Sequence, residues 1–197
     1  MVIKIIGGDF KRRRLGKIDR NIYVRPILAR VKKSLFDIIR AKVAGGRFLD
    51  LYAGSGAVGI EALSRGAAFT VFIDSEKSCV RLIKSMLARF DAEDRSKVSL
   101  ANVLDGLEWL RYKELSPFDV VFLGPPYREY LVNRTLKAIE YADILAPGGW
   151  VIAQHHKKEP VNPEKLAVFR QKKYGDTLLT FMNLGSAEKG DADEKDG

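Results

Sequence analysis

A glycine-rich run, Asp50-Leu-Tyr-Ala-Gly54-Ser-Gly56-Ala-Val-Gly59, has the spacing of a nucleotide-cofactor site. It follows an apolar stretch typical of a strand and opens a stretch typical of a helix. In such a unit Gly54 supplies the turn dihedrals, Gly56 lets a ligand approach the backbone, and Gly59 lets the helix pack close to the sheet. The run therefore predicts a cofactor at the first turn of an α/β fold. A tight turn without a ligand is the alternative.

Acidic residues at the ends of the predicted strands indicate which cofactor this is. Asp50 ends the strand before the glycines, where its carboxylate would attract a cationic sulfonium with its amino-acid tail and repel a pyrophosphate. Asp74 follows Gly54 by twenty residues and can accept hydrogen bonds from both ribose hydroxyls of an adenosine. A dinucleotide also needs two mononucleotide-binding halves, and the chain has room for one. The pattern favours S-adenosyl-L-methionine over a nicotinamide cofactor.

Three other residues complete the expected cofactor site. Tyr52 and Ser55 lie within the glycine run and are expected to border the cofactor. Asp105 follows the third predicted strand and could contact the adenine amino group. A loop aspartate is as often a helix cap, so that interpretation of Asp105 stays open.

A second motif, Gly124-Pro125-Pro126-Tyr127, directly follows the apolar strand candidate Phe118 to Leu123. Two prolines after a buried strand end its pairing and fix a rigid loop at the carboxyl edge of the sheet, where ligands bind in such folds. An aromatic ring at that position can stack on a flipped base. These four residues are the predicted catalytic loop, and a plain loop with a packed tyrosine is the alternative.

Strand and helix patterns alternate from residue 47 onward, which predicts an α/β sheet covered on both faces. Two more strand candidates near the end give seven strands, mostly parallel, with the last one antiparallel. The strand candidates are Phe48 to Leu51, Phe69 to Ile73, Val98 to Ala101, Phe118 to Leu123, Trp150 to Ala153, Leu166 to Arg170 and Thr177 to Leu184. The helix candidates are Ala57 to Arg65, Lys77 to Phe90, Leu107 to Tyr112 and Leu131 to Tyr141.

The whole chain has a net charge of +9, and its positive charge is concentrated in the first 40 residues. The first 40 residues hold twelve Lys or Arg against three Asp, and this favours a nucleic-acid partner over a solvated charged face. We divide the chain into a basic N-terminal hairpin and helix (1–44), a Rossmann-like cofactor-binding domain (45–185) and a disordered acidic tail (186–197). The predicted RNA-contacting residues are Lys11, Arg12, Arg13, Arg14, Arg25 and Arg30.

The first helix is expected to bury Leu28, Val31, Leu35 and Ile38 as an apolar stripe, with Arg30, Lys32, Lys33 and Arg40 off the stripe.

Other features of the composition exclude several classes of protein. No apolar run reaches membrane-spanning length, and the first residues lack the layout of a signal peptide. The single cysteine, Cys79, is expected to pack as a small apolar side chain, and with two histidines a zinc site is not expected. His155 and His156 are expected in an exposed loop. We expect a cytoplasmic monomer without a metal.

The order of these motifs resembles the bacterial RsmD-type family, which methylates the exocyclic amine of a guanine in small-subunit ribosomal RNA. The resemblance runs from about Ile3 to Leu184. The matching motifs are Gly7-Gly8 with its basic run, Arg25-Pro26, Arg30-Val31, Ser34-Leu35-Phe36, Asp50 to Gly59, Glu61-Ala-Leu-Ser-Arg-Gly66 and Pro125-Pro126-Tyr127. It implies a seven-stranded methyltransferase sheet, S-adenosyl-L-methionine as cofactor, ribosomal RNA or a small-subunit assembly particle as partner, and an N-terminal flap that helps hold the RNA.

The chain departs from this family at three positions. Gly124 stands where the family has Asp, or Asn in relatives; Ile27 replaces a usual Thr, and Lys33 replaces an acid. Gly124 removes a side-chain acceptor for the target amine, so three hypotheses stay open: methyl transfer through backbone carbonyls and Tyr127, help from another carboxylate such as Asp119, or RNA binding without useful turnover. Related enzymes share Pro-Pro-Tyr, so DNA adenine methylation is a further alternative.

Overall fold

A seven-stranded sheet forms the centre of the protein, whose computed structural model describes residues 4–15, 27–127 and 130–185. The strands are β1 (Arg47–Leu51), β2 (Phe69–Asp74), β3 (Ser96–Leu100), β4 (Phe118–Leu123), β5 (Leu145–His156), β6 (Leu166–Tyr174) and β7 (Thr177–Leu184). Their order across the sheet is β3-β2-β1-β4-β5-β7-β6. Strands β1 to β5 pair in parallel, and β7 runs antiparallel to both of its neighbours. The predicted fold class, with its last strand reversed, is confirmed.

Helices cover both faces of the sheet because the central strands are apolar on both sides. The helices are α1 (Ala29–Ile38), α2 (Arg40–Val43), α3 (Gly59–Ser64), α4 (Lys77–Arg89), α5 (Trp109–Tyr112) and α6 (Val132–Ala142). One face packs against α5 and α6, and the opposite face packs against α1, α2 and α3. Among the described residues, no helix combines the length and the apolar character that a membrane crossing requires.

The N-terminal segment lies along α3 and returns on itself. Lys4 and Arg14 form an isolated antiparallel bridge, and Ile5 and Phe10 are buried in one cluster with α3 and α4. This is the described part of the expected hairpin. Residues 16–26 of the predicted N-terminal region and the predicted acidic tail (186–197) lie outside the described residues.

Helix α1 differs from its predicted pattern at two positions. Val31 and Leu35 are buried as expected, but Leu28 is 43% exposed. Lys32, which we expected off the apolar stripe, is 2% exposed because it is paired with the buried carboxylate of Glu61 at 2.9 Å. A charged side chain can be buried when an opposite charge and further hydrogen bonds compensate its lost hydration. The expectation for Lys32 was therefore wrong.

Candidate functional site

The candidate site lies where the strand order reverses, between β1 and β4. The chain proceeds from β1 to β2 and β3 on one side and from β4 to β5 on the other. Asp50 pairs with Phe122 and Leu51 with Leu123, so the two strands end side by side. The glycine run and the 124–127 loop therefore leave the sheet next to each other. This junction is where α/β sheets bind ligands.

Asp50 sits at the base of the glycine run and is almost fully buried. Its Oδ2 accepts a hydrogen bond from the amide of Gly59 at 2.8 Å, which ties the strand end to the first turn of α3. Burial raises the pKa of Asp50 to about 8, and the nearby carboxylate of Asp74 adds to the rise. Asp50 is a carboxyl that an incoming cation would stabilise in its charged form.

The carboxylate of Asp74 holds the glycine turn from the neighbouring strand. Its Oδ2 accepts from the amide of Gly54 at 2.7 Å, and its Oδ1 accepts from the amide of Glu76 at 2.9 Å. Gly54 and Gly56 have φ of 54° and 72°, a left-handed conformation that glycine adopts without strain. A Cβ built at Gly59 would lie 2.2 Å from the Phe72 ring, so α3 packs directly on β2.

The other residues expected at the cofactor site have distinct surroundings. Ser55 is buried within the turn. Tyr52 has a φ of 59°, and its hydroxyl hydrogen-bonds Thr135 on α6 at 2.7 Å. Asp105 is exposed in the short 3₁₀ turn Val103–Asp105, at the same edge as Asp74. The cap of that turn is Asn102, whose side chain accepts from the amide of Leu104 and donates to the Asp105 carboxylate at 3.3 Å. Helix α5 begins after Glu108 without a side-chain cap, so Asp105 does not cap the helix that follows it.

Gly124 is not required by the backbone. Its φ lies outside the left-handed region, and an added Cβ would meet only the Phe122 ring, at 3.2 Å. Pro125 is buried and Pro126 is exposed. A side chain at position 124 therefore needs a shift of a few tenths of an ångström in one ring.

Tyr127 is held by β5 and β7. Its hydroxyl lies 2.9 Å from Oγ1 of Thr177 and accepts from the Gln154 amide at 3.4 Å. Its ring meets the edge of the His156 ring, with centroids 5.9 Å apart. The phenol is thus fixed by residues far away in the sequence, a contact that sequence reasoning missed.

The two histidines do not lie in an exposed loop, so that expectation was wrong. They end β5, and His155 is 1% exposed with Nε2 at 2.8 Å from Oγ1 of Thr180. Burial lowers the pKa of His155. Cys79 is buried on α4 as expected, and burial raises its thiol pKa to about 11. Asp119 is the second residue of β4 and accepts from the amide of Arg47, so it is structural and lies at the opposite end of the strand from the 124–127 loop.

The predicted RNA-contacting residues fall at opposite ends of the sheet. Phe10 stacks on Phe90 at the end of α4, which places the turn containing Lys11 at the amino edge, and Arg13 covers both rings there. The amide of Arg12 donates to the carbonyl oxygen of Ile5, whose neighbour Ile6 lies beside the middle of α3. Arg14 and Arg30 lie toward the carboxyl edge. Arg25 is outside the described residues.

Glu61 connects the N-terminal segment to α3, and sequence reasoning assigned it no role. Its carboxylate accepts from the amides of Ile6 and Gly7 and pairs with Lys32 and Arg65 at 2.9 and 2.8 Å. Lys32 also donates to the carbonyl oxygen of Lys4 at 3.0 Å. The available signal was an acid in an otherwise apolar helix start, inside the motif Glu61-Ala-Leu-Ser-Arg-Gly66. No metal-binding cluster of His, Cys, Asp or Glu occurs within the described ranges.

Similar proteins are found over almost the full length of the chain. Residues 3–183 match the protein family described as "Conserved hypothetical protein 95". Bacillus subtilis YlbH is 33% identical over 175 residues, which cover 88% of this chain and 94% of YlbH. The Escherichia coli ribosomal RNA small subunit methyltransferase D is 28% identical over 193 residues, which cover 97% of this chain and 94% of that protein.

Solved structures with a similar fold are also found. Escherichia coli yhhF has a TM-score of 0.78 at 27% identity, covering 92% of this chain and 97% of that one. An RNA methyltransferase from Salinibacter ruber in complex with S-adenosyl-L-homocysteine has a TM-score of 0.61 at 18% identity, covering 86% and 100%, a likeness of fold alone. The chain belongs to the family described as "Conserved hypothetical protein 95", the RsmD-type family that its motifs resemble.

Proposed function

We propose that this chain transfers a methyl group from S-adenosyl-L-methionine to the exocyclic amine of a guanine in small-subunit ribosomal RNA, and that it acts in the cytoplasm. The observation that carries the proposal is the junction of β1 and β4, where the glycine run and the 124–127 loop leave the sheet side by side. The family supports the RNA substrate, since the Escherichia coli relative is named for small-subunit ribosomal RNA.

The residues at this junction fit the methyl donor in charge and backbone shape. The buried carboxyl of Asp50 suits a cationic amino-acid end, and Asp74 lies where ribose hydroxyls bind in this fold class. Gly56 has the left-handed φ of 72° that the turn requires, and a Cβ there would meet the side chains of Ile60 and Ile83. Tyr52, Ser55 and Asp105 line the same edge and complete the proposed cofactor site. The donor supplies an electrophilic methyl group on a sulfonium.

Catalysis by this chain rests on holding the guanine amine in line with the methyl group. When bound, the donor would supply its methyl group to the amine nitrogen and keep the sulfur bonding pair, and the nitrogen would then lose a proton to water. Backbone carbonyls of Gly124 and Pro125 would accept the amine hydrogens and so stabilise the positive charge that develops on nitrogen. Tyr127, fixed by Thr177, would stack on the base.

A second candidate function is RNA binding without useful turnover, and Gly124 is the observation that favours it. The family's Asp or Asn would supply a preorganised acceptor at this position. The loss of one such group costs on the order of 10²–10³ in rate. The backbone at Gly124 accommodates a Cβ, so restoring the acid is a fair test.

The proposed activity is tested by incubating the purified protein with a tritiated methyl donor and small subunits or ribosomal RNA that lack the modification. Label is expected in the small-subunit RNA, on the N2 of guanine after digestion to nucleosides. Asp74→Asn should weaken cofactor binding by tenfold or more, since roughly 1.5–3 kcal/mol is attributed to a hydrogen bond with a charged group. Asp119→Asn makes the same change at the other end of the sheet and should leave activity intact.

Gly124→Asp separates the two candidates. A wild-type protein that binds the donor but transfers no label, and a variant that does, would identify a catalyst that has lost its acceptor. Donor binding with no label in either protein would support the binding function. In a parallel assay with DNA, transfer of label to adenine would show that the substrate is DNA adenine rather than guanine in ribosomal RNA.

A further inference from the structure

The outer hairpin of β6 and β7 ends beside the candidate catalytic loop. Thr177, the first residue of β7, pairs with Tyr174 in β6 and with His156 in β5. Its hydroxyl lies 2.9 Å from the Tyr127 hydroxyl. Because β6 is parallel to β5, the turn at residues 175–176 lies at the carboxyl edge of the sheet. The hairpin end and Tyr127 are therefore direct neighbours.

Three contacts fix the position of this turn. The Tyr174 hydroxyl donates to Oγ of Ser34 on α1. Lys157 donates its amide to the carbonyl of Asp176 at 2.8 Å, and its Nζ pairs with the same residue's carboxylate at 2.9 Å. The turn is thus tied to α1 on one side and to the end of β5 on the other. An exposed segment held in this way can present side chains to a partner without first being ordered.

One face of the hairpin end is both basic and on the side of Tyr127. Arg170, Lys172 and Tyr174 share a face of β6 because side chains alternate along a strand. Tyr174 contacts α1, so this face of β6 belongs to the side of the sheet against which α1 packs. The side chains that hold Tyr127 belong to this same face.

Arg30 extends the basic face from α1. Its Nη2 lies 3.9 Å from the position of a Cβ built at Gly175, so the guanidinium reaches the hairpin turn. We name Arg30, Arg170 and Lys172 the hairpin surface. Across the parts of the chain that the structure describes, none of the three belongs to an ion pair. The nearby acid Asp176 is paired with Lys157.

We propose that the hairpin surface binds backbone phosphates of the RNA strand next to the target nucleotide. Cations that lie on a fixed surface beside the base-binding loop would hold the strand while one nucleotide enters the site. The turn containing Lys11 lies at the amino edge of the sheet, far from this position. The inference rests on the proposed RNA substrate and adds to Arg30 two residues that sequence reasoning did not select.

The strand itself offers a matched pair of variants. Lys172→Gln removes one charge from the hairpin surface, whereas Lys173→Gln removes the same charge from the next residue, on the opposite face. Binding of a small-subunit ribosomal RNA transcript is measured over a series of salt concentrations. Lys172→Gln is expected to weaken binding on the order of fivefold at low salt and to lower the salt slope by about 0.7–0.9. Adding Arg170→Gln should lower it again by a similar amount.

Equal losses of RNA affinity in Lys172→Gln and Lys173→Gln, or no loss in the double variant, would contradict the proposal that the hairpin surface binds RNA. Cofactor affinity, measured by calorimetry, should be unchanged in all variants, which separates a folding defect from lost RNA contacts. A wild-type protein that binds RNA through this surface but transfers no methyl group would count against the catalytic proposal alone. Failure of the wild-type protein to bind RNA would overturn both.

Discussion

The carboxyl group of Asp50 is buried without a cationic partner among the described residues, which is costly for a charged group. The hydrogen bond from the amide of Gly59 lowers the pKa of Asp50 but does not offset the rise caused by burial and by the neighbouring Asp74. The carboxyl group therefore keeps its proton to a higher pH than an exposed aspartate does. This state is not visible in a sequence, because the pKa depends on burial.

Asp50 should make the protein less stable as pH rises. Its pKa is about 8 when folded and roughly 4 when unfolded, so the folded state holds the proton more tightly between these values. The stabilisation is fully present below about pH 4 and is lost as pH rises through 8. Relative to Asp50→Asn, the wild type should lose free energy of unfolding between pH 5 and pH 8, measured by urea denaturation. Parallel pH profiles for the two proteins would contradict the assignment.

The Thr177 hydroxyl should act as a positioning group for Tyr127. Thr177→Val keeps the shape and removes the hydrogen bond, which is worth about 1 kcal/mol, so kcat should fall roughly fivefold to tenfold while the cofactor KM stays constant. Thr177→Ser keeps a hydroxyl and should restore the rate. Tyr127→Phe combined with Thr177→Val should cost less than the two single losses together, because both remove one bond. An equal loss in Thr177→Ser would point to packing alone.

The N-terminal segment is attached to α3 by a buried network of charged groups around Glu61. The Glu61 carboxylate accepts hydrogen bonds from two backbone amides of this segment, and the Lys32 side chain of α1 donates to the Lys4 carbonyl in the same segment. Burial lowers the pKa of Lys32, while Glu61 opposes that shift. These hydrogen bonds and ion pairs therefore hold the N-terminal segment, α1 and α3 together beside the glycine run.

Breaking this network should destabilise the fold strongly. Glu61→Gln leaves Lys32 and Arg65 without their buried counter-charge, and removing one partner of a buried pair typically costs about 3–5 kcal/mol. The urea midpoint should fall accordingly. Asp37→Asn, which breaks the exposed pair with Lys33, should leave the midpoint essentially unchanged. A Glu61→Gln protein as stable as the wild type would show that the network contributes nothing.

The helices and strands could be predicted from the sequence because apolar strand patterns and glycine spacing depend only on residues that are close together in the chain. Strands β1, β2, β4 and β7 begin within one residue of their predicted positions, whereas β5 begins at Leu145 rather than Trp150. Burial of Lys32 could not be predicted, since its partner Glu61 lies 29 residues away. The same holds for Tyr127, whose partner Thr177 is 50 residues distant. Contacts of this kind depend on the finished topology.

The sheet separates two groups of basic residues that lie close together in the sequence. Composition alone indicated a polyanionic partner, and a single basic region at the start of the chain was the simplest interpretation. The fold moves Lys11 to one edge and Arg30 to the other. Net charge predicts the kind of partner, but the topology decides where that partner meets the protein.

This separation sets a minimum footprint for any nucleic acid that touches both groups. A five-residue strand such as β1 spans about 17 Å. An oligonucleotide of a few bases that filled the Tyr127 loop would end before the turn containing Lys11. A ligand that engages both edges at once must extend beyond about 17 Å, the length of such a strand.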